Sequence, residues 1–312
     1  MSGHPPDSVR LGVERALEGV LGRRVRVVSS RSVGGGCVSA SARLDTDDGG
    51  AWFAKWNADA GAGLFVAEAD GLAALAAAAG KDARVPEVAG VGGRGVPSDP
   101  GWIVMEYLPA GQPSPDYSAR LGRGLAELHA RPGPDPAGGA FGWPTDNFIG
   151  SLPQANAPLG DWPSFWRERR LEPQVRLARD SGALSAGEGR PLEALLDDLD
   201  TVLAGAAEEG PSLLHGDLWG GNVFPGSDGT PVLIDPAVYR GHREVDLAMS
   251  ELFGFPGGFL PAYREAWPTD LAYDRVRRHA YQLYYLLVHV NLFGRSYMAP
   301  SLDAARRALA GR

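Results

Sequence analysis

The stretch HGDLWGGN, His215 to Asn222, followed closely by the apolar run VLID ending on Asp235, constrains this chain more than any other feature. LLHGD and VLID each carry an apolar run into an acidic residue, as strands do when they deliver side chains to a site at their ends. An acidic residue, an amide a few positions on and a second carboxylate form a set that can orient a hydroxyl and hold magnesium on a nucleoside triphosphate. In phosphoryl transfer the charge of the transition state lies mostly on phosphate oxygens. A protein therefore supplies positioning, cations and one carboxylate facing the attacking oxygen. Asp217 is placed for that last task. Asn222 can offer a neutral carbonyl oxygen and Asp235 a charged one, ligands that suit a hard cation such as Mg²⁺. Read as punctuation alone, HGD and DPA would be two turns, because Gly and Pro beside Asp are ordinary turn formers. The apolar flanks favour the catalytic reading.

Upstream, the partners of such a site occur in the order it needs. VGGGCVSA, Val33 to Ala40, lies between two β-like stretches, Val25 to Val28 and Val38 to Leu44. Backbone N–H groups of Gly34, Gly35 and Gly36 can close over phosphates. No Gly-Lys-Ser/Thr follows, so this is not a Walker A loop, and the spacing is not that of a dinucleotide fingerprint. AWFAKW then ends an apolar stretch near Lys55. A lysine there can be a solvated surface residue, yet the chain is poor in lysine, and a cation after a nucleotide-covering hairpin is what α- and β-phosphates require. Leu64 to Ala79, rich in Ala and Leu, predicts a helix carrying Glu68 and Asp70 in its early turns. Glu68 is the natural ion-pair partner of Lys55, with a solvated face charge as the alternative. WIVMEYLPAG predicts a buried strand, Trp102 to Met105, running into a connector where backbone groups around Glu106 and Leu108 would meet an adenine ring.

Organisation along the chain is two-lobed. Asp7 or Ser8 caps a predicted helix to about Leu21, and a small first lobe ends near Tyr107. Helical patterns follow at Tyr117–Ala130, Trp162–Asp180, Pro191–Glu208, Arg243–Leu252 and Asp270–Phe293, with a short helix from Ser301. The stripe Tyr281, Tyr284, Tyr285, His289 and Phe293 reads as helix-on-helix packing before it reads as a ligand box.

At 312 residues the chain can bury a substantial core. A formal net charge of -8 disfavours nucleic acid as the main partner. The single cysteine excludes an internal disulfide framework and fits a reducing, cytoplasmic setting. MSGHPPDSVR has no basic-then-apolar leader pattern, and the apolar runs fall short of a membrane span, so no membrane association is expected. That cysteine, Cys37, sits inside the glycine loop. Amide dipoles aimed at an anion also favour a thiolate, which gives two readings. Either Cys37 is a redox site that could join two otherwise monomeric chains by a disulfide, or it is a small residue packed under the loop.

These strings resemble the fructosamine kinase (ketosamine 3-kinase) family, a branch of the protein-kinase-like fold related to aminoglycoside and choline kinases. HGDLWGGN with Trp219, IDPAVYRGHREVDLAM (Ile234 to Met249), DNFIGSLPQAN (Asp146 to Asn156) and DWPSFWRERRLEPQ, beginning at Asp161, carry the resemblance. It implies an α+β, bilobal protein-kinase-like fold. Residues 1–107 would form a small nucleotide-binding lobe with an antiparallel sheet, and 108–312 a larger, mostly helical catalytic and substrate-binding lobe. It implies ATP and Mg²⁺ as cofactors, Asp217 as base, Asn222 and Asp235 as metal ligands, and Lys55 with Glu68 as the phosphate-binding pair. By the same resemblance His215 packs and hydrogen-bonds the loop, and Asp246 braces its backbone. The implied reaction is phosphorylation of a ketosamine 3-hydroxyl, ribulosamine or erythrulosamine ahead of fructosamine, giving an unstable product that returns the free amine. Trp219 could stack on the sugar or pack in the core, and Asn147, Gln154 and Asp161 offer hydrogen bonds to its hydroxyls. Two other activities stay open: an aminoglycoside- or choline-type phosphotransferase, and a nucleotide-binding pseudokinase.

Overall fold

The computed structural model describes residues 4–34, 39–59, 63–131, 133, 135, 138–185 and 187–311, Ala207 by its backbone only. Gly35, Gly36 and Cys37, singled out above, lie outside the described residues.

The first lobe is built on α1 (Asp7–Leu21), β1 (Val27–Ser32), β2 (Ala40–Thr46), β3 (Ala51–Asn57), α2 (Gly63–Ala78), β4 (Val88–Gly92) and β5 (Gly101–Glu106). Its strands make one antiparallel sheet in the order β1-β2-β3-β5-β4. The apolar stripe of α1, Val9, Val13 and Leu17, recurs every four residues and is fully buried. It packs on one face of the sheet with Val25, Ala42, Leu44, Ala54, Trp56, Trp102 and Val104. Side chains alternate along a strand, so if Ala54 and Trp56 of β3 face this core, Phe53 and Lys55 face the other way, toward α2 and the second lobe. The fold thereby places the lysine in the cleft. The helix α1 starts after Pro6 with no side-chain cap, in place of the Asp7 or Ser8 cap expected.

The second lobe is mainly helical. α3 (Tyr117–Ala130) is followed by the short hairpin β6 (Asn147–Ile149) and β7 (Leu152–Gln154). Next come α4 (Trp162–Phe165) and α5 (Glu172–Asp180), joined by a π-helical turn over Trp166–Leu171. Pro173 explains the turn, since it supplies no N–H to the carbonyl of Arg169 four residues earlier. Arg170 donates from Nη1 to that carbonyl instead, at 3.0 Å.

α6 (Arg190–Asp197), α7 (Leu199–Val202), β8 (Ser212–Leu214), β9 (Val223–Pro225), β10 (Pro231–Leu233), β11 (Tyr239–Gly241), α8 (Glu244–Ser250), α9 (Phe259–Ala266), α10 (Arg278–Phe293) and α11 (Met298–Ala310) complete the chain. β9 pairs with β10 and β8 with β11, so two small ladders present the HGD and ID segments side by side. α10 is the central helix, with Tyr281, Tyr284 and Tyr285 at 0–1% exposure. Among the described residues, no helix is long and apolar enough to cross a membrane.

Charged side chains tie the lobe's interior together. Arg277 holds Glu244 through two contacts of 2.7 Å, both side chains buried. Arg243 holds Glu209 at 2.7 and 2.9 Å. Burial would raise the Glu209 carboxyl, but hydrogen bonds from His242 and Arg243 hold it down, at about 2. A depressed carboxyl contributes stability above its unfolded value and loses it as pH falls through the folded one. Glu209→Gln is therefore expected to lower unfolding free energy at neutral pH by about 1–2 kcal/mol, discounted for the side chain's 34% exposure. The gap to wild type should close between pH 4.5 and 2. Urea titrations across that range check this, and a pH-independent gap would contradict it.

Candidate active site

The two lobes enclose a cavity of about 490 Å³ lined by residues from both. Lys55, Glu68, Glu106 and Leu108 line it from the first lobe and the connector; Asp217, Trp219, Asn222 and Asp235 line it from the second, with Asn147 of β6 beside them. Gly34, at the described edge of the glycine loop, lines it as well. Apolar side chains, among them Phe53, Leu64, Met105, Phe224 and Ile234, make up much of the wall, a surface suited to a flat purine.

Lys55 Nζ donates to Glu68 Oε1 at 2.7 Å and also contacts Asp235 Oδ1 closely. Burial alone would depress its ammonium, but Glu68 and Asp235 outweigh burial and hold it above the usual lysine value. One ammonium shared by two carboxylates leaves Glu68 raised, through burial first and the charge of Asp235 in addition. The lysine is thus a fixed cation facing the cavity.

Asp217 lies at the junction of the HGD turn and the cavity. Asn222 Nδ2 donates to the Asp217 backbone carbonyl at 2.9 Å and to its Oδ2 at 3.1 Å. Crowding by protein raises the Asp217 carboxyl to about 7, with a further push from the charge of Asp235. A carboxylate tuned near neutrality is matched to accepting a proton from a hydroxyl. Asp235 has φ 55, the only positive φ outside glycine among the described residues. Asp tolerates this left-handed geometry better than most residues. The turn brings its carboxylate to the cavity next to Lys55.

The HGD turn is held from beneath. Asp246 of α8 accepts the backbone N–H of His215 at 2.7 Å and that of Gly216 at 2.9 Å. Its Oδ2 also meets His129 Nε2 at 3.1 Å, and His129 Nδ1 meets Tyr263 Oη at 2.9 Å. Burial pushes the His129 pKa down, so the neutral ring donates from Nε2 to Asp246 and accepts the Tyr263 hydroxyl proton at Nδ1. Tyr285 Oη donates to the Gly216 carbonyl at 2.8 Å. Gly216 has φ 80, and a Cβ there would stand 2.1 Å from the Ala237 oxygen, so only glycine fits. His215 donates from Nε2 to the Ile234 carbonyl at 2.9 Å and accepts the Asp217 N–H at Nδ1, 3.3 Å away. Both ring nitrogens are used inside the loop, and burial lowers its pKa.

Not every residue singled out in the sequence reaches the cavity. Gln154 is buried, donating from Nε2 to Asn147 Oδ1 at 2.8 Å and accepting the Tyr284 hydroxyl at 2.6 Å. Its amide is spent on positioning β6 and β7, contrary to the sugar-binding role expected. Asp161 is also corrected: it caps α4, accepting Ser164 N–H at 2.9 Å, away from the cavity. Asn147 lines the cavity, but its amide already bonds the Val238 carbonyl at 2.8 Å and accepts from Gln154 and Asn156. Glu106 turns its side chain to Arg84. Sequence reasoning missed His129, the bond of Tyr285 to Gly216 and the buried Arg170, which bonds Asn156 Oδ1 at 2.7 Å and lies 3.9 Å over the Tyr239 ring.

Among the described residues no group of three or more His, Cys, Asp or Glu forms an all-protein metal cage. Asp235 and Asn222 instead offer an oxygen-only donor set beside the Lys55 cation. That set fits Mg²⁺, which binds through one or two carboxylates and shares its shell with phosphate oxygens.

A family model for fructosamine kinase matches residues 11–310. A chloroplastic protein-ribulosamine 3-kinase of Arabidopsis thaliana is 38% identical over 282 residues, covering 90% of this chain and 83% of the relative. A Synechocystis protein described as a ketoamine kinase is 37% identical over 300 residues, 95% and 96% of the two chains. The crystal structure of a Thermobifida fusca protein described as a fructosamine-3-kinase superposes with a TM-score of 0.81 at 37% identity, covering 96% of this chain and 98% of that one. An aminoglycoside phosphotransferase shares the fold at a TM-score of 0.61 and 16% identity, over 96% and 100% of the chains.

Proposed function

The chain belongs to the fructosamine kinase family, and from that premise we propose that it transfers the γ-phosphoryl group of Mg-ATP to the 3-hydroxyl of a ketosamine. The observation carrying this reading is that Asp217, Asn222 and Asp235 line one cavity with Lys55 and Glu68, Lys55 bridging Glu68 and Asp235. Asp217 orients the attacking hydroxyl and accepts its proton. Lys55, fixed by Glu68, neutralises phosphate charge. Asn222 and Asp235 would hold Mg²⁺, which supplies charge neutralisation on the transferring phosphate. The connector at Glu106 and Leu108 receives the adenine through backbone groups, and Gly34, which lines the same cavity, lies on the side of the phosphates. Trp219 offers an aromatic face to the sugar beside Asp217.

Phosphorylation at that hydroxyl leaves a labile product that releases its amine, so the activity serves deglycation. A division near Tyr107, a cytoplasmic location and a monomeric state belong to the same proposal. ADP release should be followed with a panel of ribulosamines, erythrulosamines, fructosamines, aminoglycosides and choline. Turnover is expected with ketosamines, five-carbon or shorter sugars ahead of fructosamine. Turnover confined to aminoglycosides or choline would replace this reading.

A further inference from the structure

Glycine is the least favourable residue after proline inside a helix, yet α2 carries a buried Gly71 at its middle. A Cβ there would lie 3.1 Å from Val238 Cγ2, 3.2 Å from Pro236 Cγ and 3.5 Å from Val238 Cβ. Neither neighbour can turn aside. The proline ring is closed on its own backbone, and a rotated valine would still present its Cβ. The missing side chain therefore lets α2 lie directly against the segment that follows Asp235.

This contact sits between two charged groups of the cavity. Glu68 stands three residues before Gly71, on the same face of the helix. Asp235 immediately precedes Pro236. Lys55 Nζ bonds both carboxylates, so they must stand on either side of one ammonium. A second fastening lies beside the first, where Trp143 Nε1 donates to Asp70 Oδ2 at 2.6 Å. Trp143 is buried, and Phe65, Leu72 and Leu75 of α2 share one apolar core with it and with Val238. The helix α1 and the opposite face of the sheet form a separate core. Glu68 is thus tied to the second lobe, while Lys55 comes to it from the sheet.

We propose that Gly71 is a positioning residue, the spacer that sets α2 against Pro236 and Val238 so that Glu68 and Asp235 hold Lys55 between them, with the Asp70–Trp143 bond as its second anchor. Its consequence for nucleotide binding rests on the kinase reading above. The lysine contacts themselves do not.

The chain offers its own probe, because Lys55 and Lys81 are its only lysines and Lys81 is exposed. Glu68 and Asp235 hold the Lys55 ammonium above the usual lysine value, which leaves little free amine to react. The whole protein, without nucleotide, should be treated briefly with acetic anhydride and the two lysines compared by peptide mass spectrometry. In Gly71→Val the ratio of Lys55 to Lys81 acetylation should rise roughly tenfold, as a carboxylate is withdrawn from the ammonium. The dissociation constant of Mg-ATP should rise roughly five- to tenfold in the same variant. Valine is a better helix former than glycine, so helix propensity does not predict this loss. Asp70→Ala should move both quantities the same way, roughly two- to threefold, and Asp70→Asn, which keeps an acceptor for Trp143, should restore them. A wild-type acetylation ratio in folded Gly71→Val overturns the spacer. If Gly71→Val does not fold, a wild-type ratio in Asp70→Ala overturns it instead. A wild type that binds no Mg-ATP overturns the kinase reading, while the acetylation ratio still decides the spacer.

Discussion

Asp217→Asn is expected to reduce ketosamine phosphorylation by about 10²–10⁴-fold while leaving the dissociation constant of Mg-ATP within about twofold. The substitution keeps the side chain's size and one oxygen for Asn222 Nδ2, whose bond to the Asp217 backbone carbonyl is unaffected. It removes the group able to accept the hydroxyl proton. Asp235→Ala should show the other pattern, weakened Mg-ATP binding, because it deletes a carboxylate from the oxygen-donor set and a partner of Lys55. Steady-state turnover and nucleotide titration, run on both variants, separate the two roles. Near-normal turnover in Asp217→Asn would remove this residue from the reaction.

Asp246→Ala should destabilise the protein by about 3–5 kcal/mol, the usual cost of deleting one member of a buried charged network. The carboxylate is fully buried and satisfies three donors: two catalytic-loop amides and His129 Nε2. Without it those donors are left in the protein interior with no acceptor. Asp246→Asn, which keeps one acceptor oxygen, should cost less stability. It should still lower kcat more than the KM for ATP, because the backbone that carries Asp217 loses one of its two fixed hydrogen bonds. Thermal or urea unfolding with parallel kinetics measures both effects. A loss below about 1 kcal/mol in Asp246→Ala would mean that the loop is not held from α8.

Features with local signals were legible. Helix Tyr117–Ala130 was expected and found with the same ends, and Leu64–Ala79 appears as Gly63–Ala78. Both have sustained apolar content and no internal proline. Pairing of Lys55 with Glu68, which spacing left open against a solvated face charge, is formed. Helix Phe259–Ala266 was missed because glycines and Pro256 precede it and Pro261 stands inside it. A proline in a helix's first turn removes only an N–H that has no partner there, so it does not stop the helix. Trp162–Asp180 was expected as one regular helix, whereas Pro173 forces a π turn within it.

Asp161 carried a readable signal that was given the wrong meaning. An Asp followed by a proline and, three residues on, by Ser164 is an N-cap pattern. Gln154 carried none, since Tyr284, which consumes its carbonyl oxygen, lies 130 positions away. The same distance in sequence hid His129, which meets Asp246 across 117 positions, and Tyr285, which meets Gly216 across 69. Candidate residues were legible where a local pattern marks them, as in the HGD and ID segments. The scaffold that holds them is assembled from distant segments and could be read only from the fold.

The most direct test is the position of the transferred phosphate. Purified protein, Mg-ATP and ribulosyl-lysine should be incubated and the product examined by two-dimensional phosphorus–proton NMR while free amine is followed in the same sample. The account predicts coupling of a new phosphorus signal to the proton on sugar carbon 3, followed by its decay in step with the appearance of free lysine amine. ATP consumption with phosphate on any other hydroxyl, or no phosphorylated ketosamine at all, would contradict it.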